Sequence, residues 1–70
     1  MIIEDIYRVT YDDQLICICV VDGDSRYTYY EGIVGNIPHE LFKQGVHRLL
    51  SDYHPYTGSF LRVVILANSH

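Results

Sequence analysis

Leu15-Ile16-Cys17-Ile18-Cys19-Val20-Val21-Asp22-Gly23-Asp24-Ser25-Arg26-Tyr27-Thr28-Tyr29-Tyr30-Glu31 is the stretch on which the fold turns. Its first seven residues are apolar at every position and rich in β-branched side chains. A short run of that kind suits a strand covered on both faces, and so a central one. Asp22-Gly23 accommodates positive φ and closes a hairpin into a second strand running from Arg26 to Glu31 or Ile33. Within that strand, tyrosine supplies an amphipathic ring with few rotatable bonds. Tyr27 and Tyr29 therefore form either core with satisfied hydroxyls or a rigid contact platform, with Tyr30 on the opposite face.

Reading toward the N-terminus, Ile2 to Thr10 mixes apolar and charged residues in alternation. It is expected to form a strand starting at Asp5 or Ile6, followed by a tight turn at Tyr11-Asp12-Asp13-Gln14. The three strands make an antiparallel meander. Toward the C-terminus, Gly32, Gly35, Asn36 and Pro38 interrupt the strand pattern. Pro38 at a first helical position, with Glu40 behind it, predicts a helix reaching Leu50 or Ser51. Phe42, Val46, Leu49, Leu50 and Tyr53 would give it an apolar stripe, under which Tyr27 and Tyr29 pack against Phe42 and Leu49. Gly45 in its interior points either to close approach of that helix to the sheet, the favoured reading, or to a break there. Asp52 to Ser59 reads as a loop and Phe60 to Ala67 as the last strand.

Residues 1–70 are thus expected to form a single α+β domain, an antiparallel β-β-β-α-β sheet packed by one helix. The second and last strands are apolar on both faces, which one helix cannot cover. The sheet must curl into a half-barrel or bury its open face against a second copy, so a homodimer is expected. Seventy residues also leave a small core, for which oligomerisation is a common remedy.

Composition excludes more than it assigns. Apolar residues at 49% indicate a globular chain rather than a disordered one. No apolar run is long enough to span a bilayer, and Met1-Ile2-Ile3-Glu4-Asp5 lacks a basic signal region, so a soluble cytoplasmic protein with no membrane partner is expected. The net charge of -4, with cations scattered singly at Arg8, Arg26, Lys43, Arg48 and Arg62, argues against strong non-specific nucleic-acid binding. Cys17 and Cys19 fall on one face of a strand about 7 Å apart along it, a poor geometry for a disulfide. No second Cys pair or closely spaced His pair completes a zinc site, so the cysteines read as buried and reduced.

No constellation for catalysis is recognisable. His39 and His47 diverge by roughly 80° on a helix, and Asp52 with His54 lies in a polar loop without an oxyanion site. Asp12, Asp13, Asp22 and Asp24 are turn residues rather than cation ligands. The expectation is a non-enzyme without cofactor or metal. Its candidate binding residues are Arg26, Tyr27, Tyr29, Tyr30 and Tyr56.

The order of motifs resembles the KTSC domain, a short module at the C-terminus of some lysyl-tRNA synthetases and free-standing in bacteria and phages. The matching pieces are Tyr11-Asp12, Asp22-Gly23, Tyr27-Thr28-Tyr29, Glu31-Gly32, Pro38-His39-Glu40-Leu41-Phe42, Thr57-Gly58-Ser59-Phe60 and Ile65. The sequence departs from the family pattern where Ile33-Val34-Gly35-Asn36-Ile37 intervene before the proline, and where Thr57 stands in place of a serine. What the resemblance implies is a non-catalytic interaction module, with RNA as one suggested ligand, and not aminoacylation. Two readings stand: a protein- or RNA-binding module using the tyrosine strand, and, suggested by small size, acidity and exposed tyrosines together, a small acidic phage-type inhibitor of a nucleic-acid enzyme. The second requires Glu4, Asp5, Asp12, Asp13, Asp24 and Glu31 to gather on one side.

Overall fold

A computed structural model describes residues 1–67. The class is α+β, with one short helix against a four-stranded sheet that does not close into a barrel. The helix α1 spans Ile3–Val9, and the strands are β1 Leu15–Asp22, β2 Ser25–Ile33, β3 Arg48–His54 and β4 Gly58–Leu66. Strand order is β2-β1-β4-β3. The sheet is mixed rather than wholly antiparallel, because β1 and β4 run parallel between two antiparallel hairpins.

The β1–β2 hairpin lies where the sequence places it, with Gly23 at φ 61° in its turn. The elements flanking it differ from expectation. Ile2 to Thr10 forms a helix instead of a first strand. Ile3 and Ile6 are buried and Tyr7 packs beside them, which is helical rather than alternating spacing. The backbone N–H of Ile2 donates to Asp5 Oδ2 at 2.9 Å, and Arg8 pairs with Glu4 one turn away at 3.2 Å.

The helix expected from Pro38 to Leu50 or Ser51 is likewise absent. In its place stand single 3-10 turns at Val34–Asn36 and His39–Leu41, an irregular segment with a turn at 42–43 and an isolated bridge at Gly45, and then β3. That irregular segment is claimed by the N-terminus. Ile3 N–H donates to the Gln44 carbonyl and Glu4 N–H to the Phe42 carbonyl, both at 3.0 Å, while Val46 N–H donates to the Met1 carbonyl at 2.9 Å. Two donors that a helix start leaves free are thereby satisfied by carbonyls that a helix at 38–50 would have used internally. Gly45 bridges Ile2 here, with open space around its Cβ position, so its glycine does not report close helix–sheet packing. Lys43 clamps the junction by bonding Glu4 at 3.1 Å, and this ammonium, aided by Arg8, holds the Glu4 carboxyl below its ordinary range.

Directly opposite residues in neighbouring strands share a face. One face of the sheet presents Ile16, Ile18 and Val20 of β1 with Val63 and Ile65 of β4, and it buries them against Ile3, Ile6, Val34, Ile37 and Leu41. At Gly35 the 34–36 turn meets the chain before β1. Its N–H donates to the Asp12 carbonyl at 2.9 Å, and a Cβ there would lie 3.1 Å from Asp12 Cβ. The molecule is 16 Å across its shortest axis, the thickness of a sheet plus one covering layer. The second face is left open.

Ile3 is fully buried and carries the helix that overturns the strand expectation, whereas Val9 ends the same helix 85% exposed. Ile3→Ala is expected to cost about 2–5 kcal/mol in urea unfolding, and Val9→Ala within about 0.5 kcal/mol. If this segment were an edge strand, the two losses would be comparable.

Candidate tyrosine shelf and open sheet face

The tyrosines of β2 all reach the helix-side face, which simple alternation does not allow. The register steps between Ile18 opposite Tyr30 and Cys19 opposite Thr28, leaving Tyr29 as the extra residue of a β-bulge. Tyr27 stands opposite the core residue Val20 and Tyr30 opposite the core residue Ile18. The bulge brings Tyr30 round to the side its neighbours occupy. This corrects the assignment of Tyr30 to the opposite face.

Exposure is also the reverse of expectation. Tyr30 packs against the core, and its hydroxyl donates to the Ile33 carbonyl at 2.6 Å. A Cβ on Gly32 would lie 2.8 Å from that hydroxyl, so the glycine makes room for the ring. Tyr30 is an anchor. Tyr27 and Tyr29, by contrast, are 51% and 44% exposed, because the helix meant to cover them does not form. Phe42 instead packs between Tyr7 and His39, at 4.9 Å from each ring, and Leu49 is exposed on β3.

The two half-exposed rings line a shallow concavity with Val20, Glu40, Leu41, Gln44 and Ile65. The Tyr29 hydroxyl donates to Glu40 Oε2 at 3.1 Å, which fixes the ring and sets a carboxylate at the rim. The same bond, followed by the negative charge of Glu40, pushes the Tyr29 phenol above its ordinary pKa. Glu40 and Gln44 belong to this shelf although the sequence reading gave Glu40 a place only at a helix start and neither residue a part in a site. With a helix assumed across them, nothing placed Glu40 beside Tyr29.

The other candidates lie apart from the shelf. Arg26 pairs with Val21, whose side chain alternates with that of Val20, so it points to the open face at the hairpin end. Tyr56 is 92% exposed in the β3–β4 turn, beside His54 at 5.7 Å between rings. Because β1 and β4 run parallel, the β1–β2 turn and the β3–β4 turn occupy opposite ends of the sheet. The five candidate residues therefore do not make one site.

The open face carries its own chemistry. Cys17 and Cys19 form its floor as free, buried thiols with sulfurs 3.7 Å apart. Burial, then the bond to Cys19, pushes the Cys17 thiol above its ordinary pKa, so it stays protonated and a poor nucleophile. Around Cys17 opens a cleft of ≈ 590 Å³ lined by Thr28, Glu31, His54, Phe60 and Arg62. Arg62 lies 5.6 Å over the Phe60 ring and pairs with Asp52 at 3.1 Å, while its Nε is buried without a partner.

No triad emerges from these groups. Asp52 accepts from Tyr53 N–H and faces Arg62, and His54 Nδ1 accepts from Tyr56 N–H, so each is engaged elsewhere than with the other. Among the described residues no three His, Cys, Asp or Glu side chains gather as metal ligands, and no helix is long and apolar enough to cross a membrane. His70 lies outside the described residues.

If the Glu40 bond governs Tyr29, one tyrosine in an ultraviolet titration should ionise later than an ordinary phenol. Glu40→Gln should return it toward the ordinary range. An unchanged titration curve in that variant would separate Tyr29 from Glu40.

No family model, no curated protein and no solved structure matches this chain.

Proposed function

We propose that this chain is a non-catalytic interaction module, of the kind its likeness to KTSC domains suggests, and that it docks a protein segment on the shelf formed by Tyr27, Tyr29 and Glu40. The observation that carries this reading is the half-exposure of two neighbouring tyrosines, one of them tethered through its hydroxyl to Glu40. Tyrosine pays little conformational entropy on binding, and a ring fixed by Glu40 pays less. A carboxylate beside two aromatic faces favours a segment bearing Lys or Arg, which can stack on a ring and pair with Glu40.

Charge favours this reading over RNA. A phosphate backbone approaching the shelf would meet Glu40, and the chain as a whole is at -4. Nucleic-acid mimicry draws less support still. Asp12 and Asp13 precede β1 while Asp24 lies beyond its far end, Glu4 is neutralised by Arg8 and Lys43, and Asp5 is spent on the Ile2 N–H.

An array of Lys- and Arg-containing peptides probed with the wild-type chain should give signals that Tyr27→Ala with Tyr29→Ala abolishes and Glu40→Gln weakens, with thermal melting of the variants showing that the fold is kept. Equal signals from wild type and the tyrosine variant would overturn the shelf. Retention of RNA on a low-salt filter, lost in that same variant, would replace the protein reading with the RNA one.

A further inference from the structure

The two edges of the sheet are finished differently. Edge strand β2 is interrupted by the bulge at Tyr29, and bulges are a common means of keeping an edge from pairing with another chain. Edge strand β3 has no such device. Its register with β4 runs unbroken from Arg48 opposite Val64 to His54 opposite Gly58, and Arg48-Leu49-Leu50-Ser51-Asp52-Tyr53-His54 contains neither Pro nor Lys. Every one of its residues is exposed, Leu49, Leu50 and Tyr53 among them. An edge with apolar side chains and a row of backbone N–H and C=O groups that no strand pairs, the Tyr53 N–H turning instead to Asp52 Oδ1 at 2.8 Å, is a template for another strand.

Charge selects the occupant. When β3 pairs antiparallel with a second copy of itself about Leu50, Leu50 meets Leu50, and Arg48 meets Asp52 at both ends of the contact. These side chains alternate onto the open face together. A register centred one residue later sets Leu50 against Asp52, and one residue earlier sets Arg48 against Leu50. Only the Leu50 register pairs unlike charges and like apolar groups at once. Among the described residues Arg48 makes no salt bridge, while Asp52 is held in place by Arg62 at 3.1 Å and would lie between two cations. We propose that the β3 edge is the site at which a second copy of this chain adds, two-fold about Leu50, to make a continuous eight-stranded sheet.

This stands independently of the tyrosine shelf, which lies on the far edge strand. Sedimentation equilibrium should show a species of twice 8.1 kDa appearing as concentration rises into the hundreds of micromolar. Leu50→Lys sets two ammonium groups face to face at the axis and should abolish that species, while Arg48→Glu should weaken association about tenfold by placing Glu opposite Asp52 at two symmetric points. Both positions are exposed, and circular dichroism should show the fold unchanged. Register is read by Leu50→Cys, whose thiols face each other at cross-strand distance and should form an intermolecular disulfide under oxidised glutathione far faster than Leu49→Cys or Ser51→Cys. The wild-type chain under the same oxidant controls for Cys17 and Cys19. A monomer throughout the concentration range overturns the proposal. So does crosslinking through Leu49→Cys or Ser51→Cys that matches Leu50→Cys, and so does a dimer that survives Leu50→Lys.

Discussion

The exchange of backbone hydrogen bonds between Met1–Glu4 and Phe42–Val46 is the constraint from which the rest of the arrangement follows. A helix of seven residues is far too short to persist by itself in water. It persists here because its first N–H groups find the carbonyls of Phe42 and Gln44, and because Ile3 and Ile6 are driven into the sheet. Holding 42–46 out of a helix has a second effect. The chain reaches β3 without a helix to cover β2, so the last two strands form a hairpin that must lie beside β1 in parallel. One set of bonds at the N-terminus thereby settles the sheet order, the exposure of Tyr27 and Tyr29, and the freedom of the β3 edge.

The core explains why so small a chain closes at all. Ile3, Ile16, Ile18, Val34 and Val63 are the fully buried side chains, and they come from the helix, the central two strands and the 34–36 turn. Each of these segments contributes at one level of a single apolar layer. Gly35 lets the turn approach Asp12 closely enough for its N–H to reach that carbonyl, and the neighbouring Val34 N–H reaches Gln14. The connection between β2 and β3, long and apparently irregular, is in fact part of the layer that covers the sheet.

What could be read from the sequence was what local chemistry decides. Asp22-Gly23 fixes a hairpin whatever surrounds it, and a run apolar at every position such as Ile16 to Val20 has few alternatives to a central strand. The α+β class and the sheet's uncovered face were legible on those grounds. The count of one helix and four strands agrees only because the helix stands where a strand was expected and β3 begins where the helix was expected to end. Ile2 to Thr10 was not legible, because Ile3, Ile6 and Tyr7 satisfy helical spacing while the same residues read as alternation when the window starts one position away. Pro38-His39-Glu40 is a true helix start that lasts a single 3-10 turn, its continuation lost to partners some forty residues distant in sequence. The tyrosine shelf fell between these cases. Tyr27 and Tyr29 were visible as candidates, but their exposure depended on that missing helix, and the side occupied by Tyr30 depended on a bulge that no residue pattern marks.

The open face shows how a single-layered sheet tolerates one uncovered side. Its centre is built of Cys17, Cys19 and Val64, small side chains that neighbours can cover, rather than of large aliphatics that would stay wet. Arg62 spreads its stem and guanidinium between Phe60 and Asp52, shielding the Cys17 side of β4 while keeping a charge at the surface. The cover is incomplete, since Arg62 Nε is buried without a partner and Leu50 and Leu66 remain exposed. Leu50 and Asp52 sit where this partial cover meets the unpaired β3 edge. A second sheet added there would extend the open face across the axis instead of capping it, so the cleft beside Cys17 would stay accessible in the dimer, and edge pairing and occupation of that cleft need not compete.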